Sequence, residues 1–147
     1  MSRAKSPPGW SVEKMAALGA LHAELEGSNG DLEPLLATLA RDPVYEFHPI
    51  RRGMRGDDCV RRFYEQFCTR FLALRHSYSL VAEWVNLDSV AQEYEIALRV
   101  DGAVERFRVL GVLYARGELL GGERVYASER FIRLLTGPLF DELEPIE

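Results

Sequence analysis

The sequence predicts a single α+β domain in which helices cover one face of a bent, mostly antiparallel sheet. Two observations support this prediction. Apolar residues recur with a helical period in the first half of the 147-residue chain, and with the strand period of two from His76 onward. The chain length suits one hydrophobic core, and its 47% hydrophobic and 28% charged residues are ordinary values for a globular protein.

These patterns divide the chain into an arm, a domain and a tail. Residues 1–10 are polar and contain Pro7-Pro8-Gly9, so we expect a flexible N-terminal arm. Residues 11–136 carry the periodic patterns and form the domain. In the tail, residues 137–147, apolar side chains are set among acidic ones. We expect the tail to pack on the domain or to reach a second copy, the alternative being a disordered end.

Three helices are predicted, each from an N-cap residue and the apolar spacing that follows it. The first begins at Ser11 and ends at the Gly27–Gly30 sequence. The second is short, with Asp31 as its N-cap, and ends before Pro43. The third begins at Asp57 and is the main core helix, because it has the clearest periodicity in the chain. Its apolar residues recur at helical spacing: Val60, Phe63, Tyr64, Phe67, Phe71 and Leu74.

One short strand and four longer ones are predicted. Residues 44–48, Val-Tyr-Glu-Phe-His, form a brief strand at a sheet margin, because they are strand formers between two prolines. The longer strands follow the third helix, with turns rich in Gly, Asn and Asp between them. We place them at residues 77–86, 90–100, 103–115 and 122–134. Strands joined by such short turns run antiparallel.

Alternation assigns the side chains of these strands to two faces. The outer row places acidic residues opposite basic ones across the Asp101-Gly102 hairpin, which favours exposed ion pairs over catalysis. These outer residues are Glu93, Glu95, Arg106 and Arg108. The inner row is apolar, with Phe107, Val109 and Leu113 on one strand, and it includes two polar residues, Gln92 and Tyr94, on the other.

Glu129 is the anomaly of the last predicted strand. Its row also holds Val125, Ala127 and Phe131 and is the more apolar of the two, so we expect this row to face inward. A carboxylate there costs several kcal/mol unless it is paired or protonated. Glu129 is therefore a candidate catalytic residue, the alternative being a buried structural pair with an arginine.

Charge and composition exclude several function classes. The net charge of −5 repels phosphate backbones and anionic surfaces, so neither nucleic acid nor a membrane is an expected partner. The longest apolar run, residues 109–115, is far shorter than the ~20 residues that cross a bilayer. The N-terminus lacks a signal-peptide core, which predicts a cytoplasmic protein. Cysteine and histidine spacing offers no metal motif, so we expect neither a metal nor a cofactor.

Four short sequence motifs resemble those of the NTF2-like superfamily, in particular its SnoaL-like polyketide cyclase and ketosteroid isomerase branch. They are Gly30-Asp31-Leu32, Tyr45-Glu-Phe-His-Pro49, Gly56-Asp-Asp-Cys-Val-Arg-Arg-Phe-Tyr64 and the Asp101-Gly102 hairpin, in an order that covers about Ser11 to Leu135. The resemblance implies a cone in which three helices pack on a strongly curved sheet around a mostly apolar pocket. It also implies homodimers that pair through the outer sheet face.

Proteins of this superfamily include isomerases, aldol-type cyclases, dehydratases, epoxide hydrolases and binding modules, so the fold alone does not decide the function. The resemblance implies cofactor-independent acid–base chemistry, an isomerisation, cyclisation or dehydration, on a hydrophobic cyclic substrate. One alternative is a non-catalytic ligand-binding or dimeric interaction module. A second alternative is water addition of the epoxide hydrolase type.

The resemblance points to His48 as the general acid or base. Ketosteroid isomerases carry a carboxylate base at the matching position before a proline, and imidazole, with a reference pKa of about 6.5, also exchanges protons near neutral pH. Glu129 is its expected partner, and the alternative for His48 is a structural histidine. The position of the second catalytic acid of those enzymes corresponds to Gly111 in this chain. The position of the tyrosine in their first helix corresponds to the region of Leu21 or His22.

Further residues are expected to hold the substrate. Gln92 and Tyr94 provide hydrogen bonds for a substrate oxygen, and Tyr94 is expected to meet His48 and Glu129 inside the pocket. Glu46 is a reserve candidate, because it lies two residues before His48 on the same side of a regular strand. The expected apolar lining consists of Phe107, Val109, Leu113, Ala127 and Phe131.

Overall fold

The computed structural model describes residues 5–27 and 31–147 of the chain. In these residues, seven strands form one curved, open sheet. The strands are β1 (Leu39–His48), β2 (Arg52–Arg55), β3 (Arg75–Val85), β4 (Ser89–Val100), β5 (Ala103–Arg116), β6 (Leu119–Tyr126) and β7 (Glu144–Pro145). Their order is β3-β4-β5-β6-β1-β2-β7. β1 is parallel to β6, and the other neighbouring pairs are antiparallel. The predicted α+β class with a mostly antiparallel sheet is confirmed.

The helices occupy the predicted positions, with one addition at the C-terminal side. They are α1 (Val12–Gly27), α2 (Leu32–Leu36), α3 (Asp57–Gln66), α4 (Leu72–Leu74) and α5 (Glu129–Thr136). A π-helical turn, Phe67–Phe71, joins α3 to α4, so the predicted main helix is one continuous helical segment. The Ser11 hydroxyl caps α1 by accepting a hydrogen bond from Lys14 N at 3.2 Å. Gly56, and not the predicted Asp57, is the N-cap residue of α3.

The last predicted strand, residues 122–134, is wrong after Tyr126. There β6 ends, and Ser128 caps α5 by accepting a hydrogen bond from Phe131 N at 3.1 Å. The strand prediction failed because Phe131 and its apolar neighbours fit both periods, and the cap residue decides in favour of a helix. Glu129 therefore lies in the first turn of α5 and not in an inner strand row.

β1 is longer than the predicted residues 44–48, and its aromatic residues decide which face is buried. Tyr45 and Phe47 are 1% and 0% exposed, so alternation turns Glu46 and His48 to the opposite face. This corrects the expected inward position of His48. The physical reason is that two aromatic rings bury more apolar surface than one imidazole and a carboxylate.

The core and the outer ion pairs follow from the same alternation. The main apolar cluster joins the α3 segment, β1, β4 to β6 and α5. On the outer face Arg108 lies 2.6 Å from Glu93 and 3.1 Å from Glu95, and Arg106 lies 3.2 Å from Glu95. These contacts confirm the predicted cross-strand pairs.

The C-terminal segment packs against the domain. A 3-10 helix, Gly137–Glu142, follows α5, and β7 pairs with β2. Leu139, Phe140 and Leu143 of this segment are buried in the main cluster. No helix in the described ranges combines the length and the apolarity needed to span a membrane.

Candidate functional site

A cavity of about 100 Å³ lies between the sheet and the helices. Much of its wall is aromatic: Tyr45, Phe63, Phe67, Phe71, Tyr94 and Phe131. Two carboxyl groups also line it, Glu26 from α1 and Glu123 from β6. The fold thus places acidic groups inside a largely apolar cavity.

Glu123 reaches this cavity across a glycine of the neighbouring strand. β5 and β6 pair Gly111 with Val125 and Leu113 with Glu123, so Gly111 and Glu123 are diagonal neighbours. A Cβ atom added at Gly111 would overlap Glu123 Oε1. The missing side chain therefore leaves the volume that the carboxyl group fills. The resemblance also implies an acid at the position of Gly111. In this chain the carboxyl group beside Gly111 instead belongs to Glu123 of the adjacent strand β6.

The surroundings of Glu123 favour its neutral form. Within the described residues, no hydrogen bond or ion pair reaches its carboxyl group. Burial and, after it, the negative charge of Glu26 raise the pKa of Glu123 well above its ordinary value. A protonated carboxyl group at the wall of an apolar cavity can donate a hydrogen bond or a proton to a ligand.

His22 of α1 is fully buried, and its partners determine where its protons lie. Thr38 Oγ1 donates its one proton to Leu35 O at 2.7 Å, so it accepts from His22 Nδ1 at 2.8 Å. The other ring nitrogen, Nε2, lies 2.5 Å from Glu26 Oε1 and 3.1 Å from Tyr64 OH. A contact of 2.5 Å requires one proton between the nitrogen and the carboxyl oxygen. His22 and Glu26 therefore carry no net charge together.

Tyrosine hydroxyls extend this polar network along the cavity. Tyr64 OH lies 2.6 Å from Tyr45 OH, and burial raises the pKa of both groups well above the ordinary value. On β4, Tyr94 OH donates to Gln92 Oε1 at 3.3 Å, and Gln92 Nε2 donates to Glu83 at 2.9 Å. Burial also raises the pKa of Tyr94. All three phenols are consequently neutral hydrogen-bonding groups.

His22, Glu26 and Glu123 are also the one group within residues 5–27 and 31–147 whose side-chain types could hold a metal ion. Their ligating atoms lie within 4.8 Å of one another. The sequence shows no such motif, because the third donor is far from the other two along the chain. His22 and Glu26 are at hydrogen-bond distance, however, so these two donor atoms are satisfied by each other.

Four of the nine residues predicted for the site line the cavity: Gln92, Tyr94, Val109 and Phe131. Phe107 lies behind Phe131, with ring centroids 5.4 Å apart. Leu113 belongs to a second apolar cluster together with Met15 of α1. Ala127 follows the end of β6 and packs at the edge of the main cluster. These three residues stabilise the core around the cavity and do not contact its interior.

Neither His48 nor Glu129 lines the cavity, so the expected meeting of polar side chains there does not occur. His48 Nε2 lies 3.3 Å from Glu46 Oε2 on the opposite face, and its ring stacks on Tyr126 at 5.1 Å between centroids. The shared side of Glu46 and His48 is as predicted. The Glu129 side chain is 57% exposed and lies 3.6 Å from Arg133.

The sequence did contain signals for the acidic groups of the cavity. Counting back by two from Val125, along the row expected to face inward, leads to Glu123. His22 and Glu26 are four residues apart and therefore share a face of α1. No local pattern shows that these two faces meet, because that contact depends on how helix and sheet pack.

Solved structures identify the architecture, whereas no protein-family model and no curated protein sequence matches the chain. An NTF2-like protein from Burkholderia xenovorans superposes with a TM-score of 0.66 at 15% identity, covering 88% of this chain and 100% of its own. The chain has the NTF2-like fold. Another NTF2-like protein, from Anabaena variabilis, gives 0.64 at 18% identity, covering 84% of this chain and 95% of its own.

A third solved structure contains a ligand. This protein from Catenulispora acidiphila has a ketosteroid isomerase-like fold and is in complex with trimethylamine. Its TM-score is 0.59 at 18% identity, with 82% of this chain and 92% of that chain covered. Similarity at these identities defines the fold of the present chain, and the SnoaL-like branch stays a prediction.

Proposed function

We propose that the cavity is the active site of a cofactor-independent enzyme that moves a proton on a small, hydrophobic, cyclic substrate, with Glu123 as the proton-exchanging group. The observation that supports this most is the Glu123 carboxyl group, which faces an aromatic cavity without a partner among the described residues. Its raised pKa matches the way in which buried carboxyl groups serve as acids near neutral pH.

Glu123 and Glu26 have different surroundings, which suits them to opposite roles. The protonated Glu123 donates to a substrate oxygen, where charge develops as a neighbouring proton leaves. Glu26 shares a proton with His22 and is the complementary base, since its carboxyl oxygen lies within 4.8 Å of that of Glu123. Isomerisation, cyclisation and dehydration each combine removal of a proton with delivery of a proton to oxygen. Tyr94 provides an anchoring hydroxyl.

A proton-exchange assay tests this proposal. A small cyclic ketone, cyclobutanone, is incubated with the protein in D₂O, and deuterium uptake at the carbons beside the carbonyl group is followed by NMR. We expect Glu123→Gln to lower the rate at least ~100-fold, the usual loss when an acid–base group is removed. Glu118→Gln, at an exposed turn, is the matched control and keeps the wild-type rate. Equal rates in both variants contradict the role of Glu123.

The same assay compares this site with the residues that the sequence favoured. His48→Ala leaves the rate unchanged if the reaction takes place in the cavity. Loss of the rate in His48→Ala, together with its retention in Glu123→Gln, moves the reaction to the outer face, where His48 lies beside Glu46.

Two alternatives are each favoured by one observation. The trimethylamine complex of the Catenulispora acidiphila protein favours a non-catalytic binding module with a cavity for a small ligand. The facing carboxyl groups of Glu26 and Glu123 favour water addition of the epoxide hydrolase type, which uses an acid pair and a held water. Saturable binding without any turnover supports the first alternative, and turnover of a small epoxide supports the second.

We also propose that the chain forms a homodimer through the outer face of the sheet. This face carries large exposed apolar side chains, Trp84 at 56% and Tyr126 at 42% exposure, beside the ion-paired row of β4 and β5. Aromatic residues next to charged ones are typical of protein interfaces.

A further inference from the structure

We infer that the cavity selects small organic cations, namely protonated amines with a compact apolar body. This inference rests on the proposed use of the cavity as a ligand site and names the class of molecule that it takes. Three features of the cavity support it: the charge, the walls and the volume.

The charge of the cavity leaves a place for one cation. His22 and Glu26 carry no net charge together, so ionised Glu123 contributes one uncompensated negative charge. The guanidinium of Arg75 also lines the cavity and keeps its positive charge, but it donates to the backbone oxygens of Glu26 and Gly27 at 3.4 and 3.0 Å and is not among the groups that shift the pKa of Glu123. It is therefore held at the C-terminal end of α1. A monocation beside Glu123 supplies the opposite charge that a buried carboxylate requires.

Binding of such a cation is coupled to release of a proton. Burial, the larger cause, keeps the pKa of Glu123 high, and an ammonium group beside it acts in the opposite direction. The phenols of Tyr45, Tyr64 and Tyr94 face the same space, and their raised pKa values keep them neutral. The released proton therefore comes from Glu123.

The walls suit an organic cation better than a metal ion. Aromatic rings attract cations and also pack against methyl and methylene groups, and such rings form much of the wall of this cavity. A divalent ion instead needs several free oxygen or nitrogen ligands. Here His22 Nε2 and Glu26 Oε1 are bonded to each other at 2.5 Å, so two of the three donor atoms of that group are already paired.

The volume limits the size of the cation. An engineered apolar cavity of ~150 Å³ takes up benzene. The cavity described here, at about 100 Å³, therefore suits a smaller molecule such as a four-carbon amine. Gly111 contributes to this space, because a side chain there would displace the carboxyl group.

Three probes with one shared apolar body test the inference: tert-butylammonium, tert-butanol and pivalate. Binding is measured by calorimetry at pH 7.5 in two buffers of different ionisation enthalpy, so that proton release is counted. We expect tert-butylammonium to bind at least tenfold more tightly than tert-butanol and to release about one proton, and pivalate not to bind. In Glu123→Gln both the preference and the proton release disappear, while Glu118→Gln retains them.

Each outcome decides the question. Equal affinity for the ammonium ion and the alcohol, or tighter binding of pivalate, overturns the inference, and so does tight Zn²⁺ binding without an ammonium preference. If Glu123→Gln fails to fold, Glu123→Asp is the second variant. It keeps the charge but shortens the side chain, so we expect a reduced preference for tert-butylammonium over tert-butanol. Ketone turnover without ammonium preference removes this inference alone. Ammonium preference without turnover of any substrate removes the proposed enzyme alone.

Discussion

At the scale of single residues, the properties of Glu123 depend on a side chain that is absent. Gly111 leaves the carboxyl group room on the inner face, at the wall of the cavity. A larger residue at 111 would have filled the same space with an apolar group. The glycine and the acid are therefore two parts of one feature, although twelve positions separate them in the sequence.

Folding stability is expected to depend on the protonation of Glu123. Its pKa is raised in the folded protein, so its contribution to stability is fully present below the ordinary value of 4.5 and is lost as the pH rises toward the folded value. We expect Glu123→Gln to match the wild type near pH 4 and to be more stable at pH 8. The gain is about 1.4 kcal/mol for each pH unit between the two pKa values. Urea unfolding at both pH values measures it, and a difference that does not vary with pH contradicts it.

Gly111→Ala is expected to force the Glu123 carboxyl group out of its place. The added methyl group overlaps Oε1, the end of a flexible side chain that can move aside, so we expect a loss of unfolding free energy at the low end of the about 1–3 kcal/mol that overpacking costs. Urea unfolding measures the loss. The double variant Gly111→Ala with Glu123→Ala is the control, because removal of the carboxyl group frees the space and recovers part of the stability. Additive losses in the double variant show that the two residues do not interact.

At the scale of elements, one short segment can fit both the helix and the strand pattern, and the contacts that it makes decide which element forms. Residues 128–136 contain a serine that can cap a helix, and the spacing of their apolar residues suits either a strand or a helix. The helix forms because Ser128 satisfies the free amide of Phe131 and because Phe131, Ile132 and Leu135 then bury one common face. In β1 the period was predicted correctly, and the aromatic residues determined the face.

Removal of the α5 cap is expected to destabilise the domain modestly. Ser128→Ala leaves the amide of Phe131 without its partner, which costs about 1 kcal/mol. Ser128→Asp keeps an acceptor oxygen in the same place and is expected to retain nearly all of the stability. Urea midpoints of the two variants provide the comparison. An equal loss in both means that the cap bond contributes little.

At the scale of the whole molecule, the fold could be predicted from the sequence, whereas the grouping of His22, Glu26 and Glu123 at the cavity could not, for a physical reason. Periodicity and turn residues are local, and they sufficed for the helices and for the antiparallel strands. The cavity joins His22 of α1 to Glu123 of β6, a contact that depends on the parallel pairing of β1 with β6 and on the packing of α1. A single sequence carries no local mark of either.

The proposed dimer is tested on the outer face itself. Val112 lies in the outer row of β5, between Ala91 and Arg124, whereas Leu80 of β3 lies on the cavity side and is 49% exposed. We expect Val112→Glu to raise the dimer dissociation constant at least tenfold, because it places a charge in the apolar part of the interface. Leu80→Glu is expected to leave the dimer intact. Light scattering after gel filtration distinguishes them, and a monomeric wild type refutes the proposal.

β3 forms the outermost strand of the sheet, hydrogen-bonded along one side to β4, and its Tyr78 borders the cavity together with Arg75. Outermost strands open at lower free energy than strands held on both sides. We therefore expect a ligand of the proposed site to enter and leave through brief fraying of β3. β6, which carries Glu123, is paired on both sides, with β5 and with β1, and is expected to stay in place.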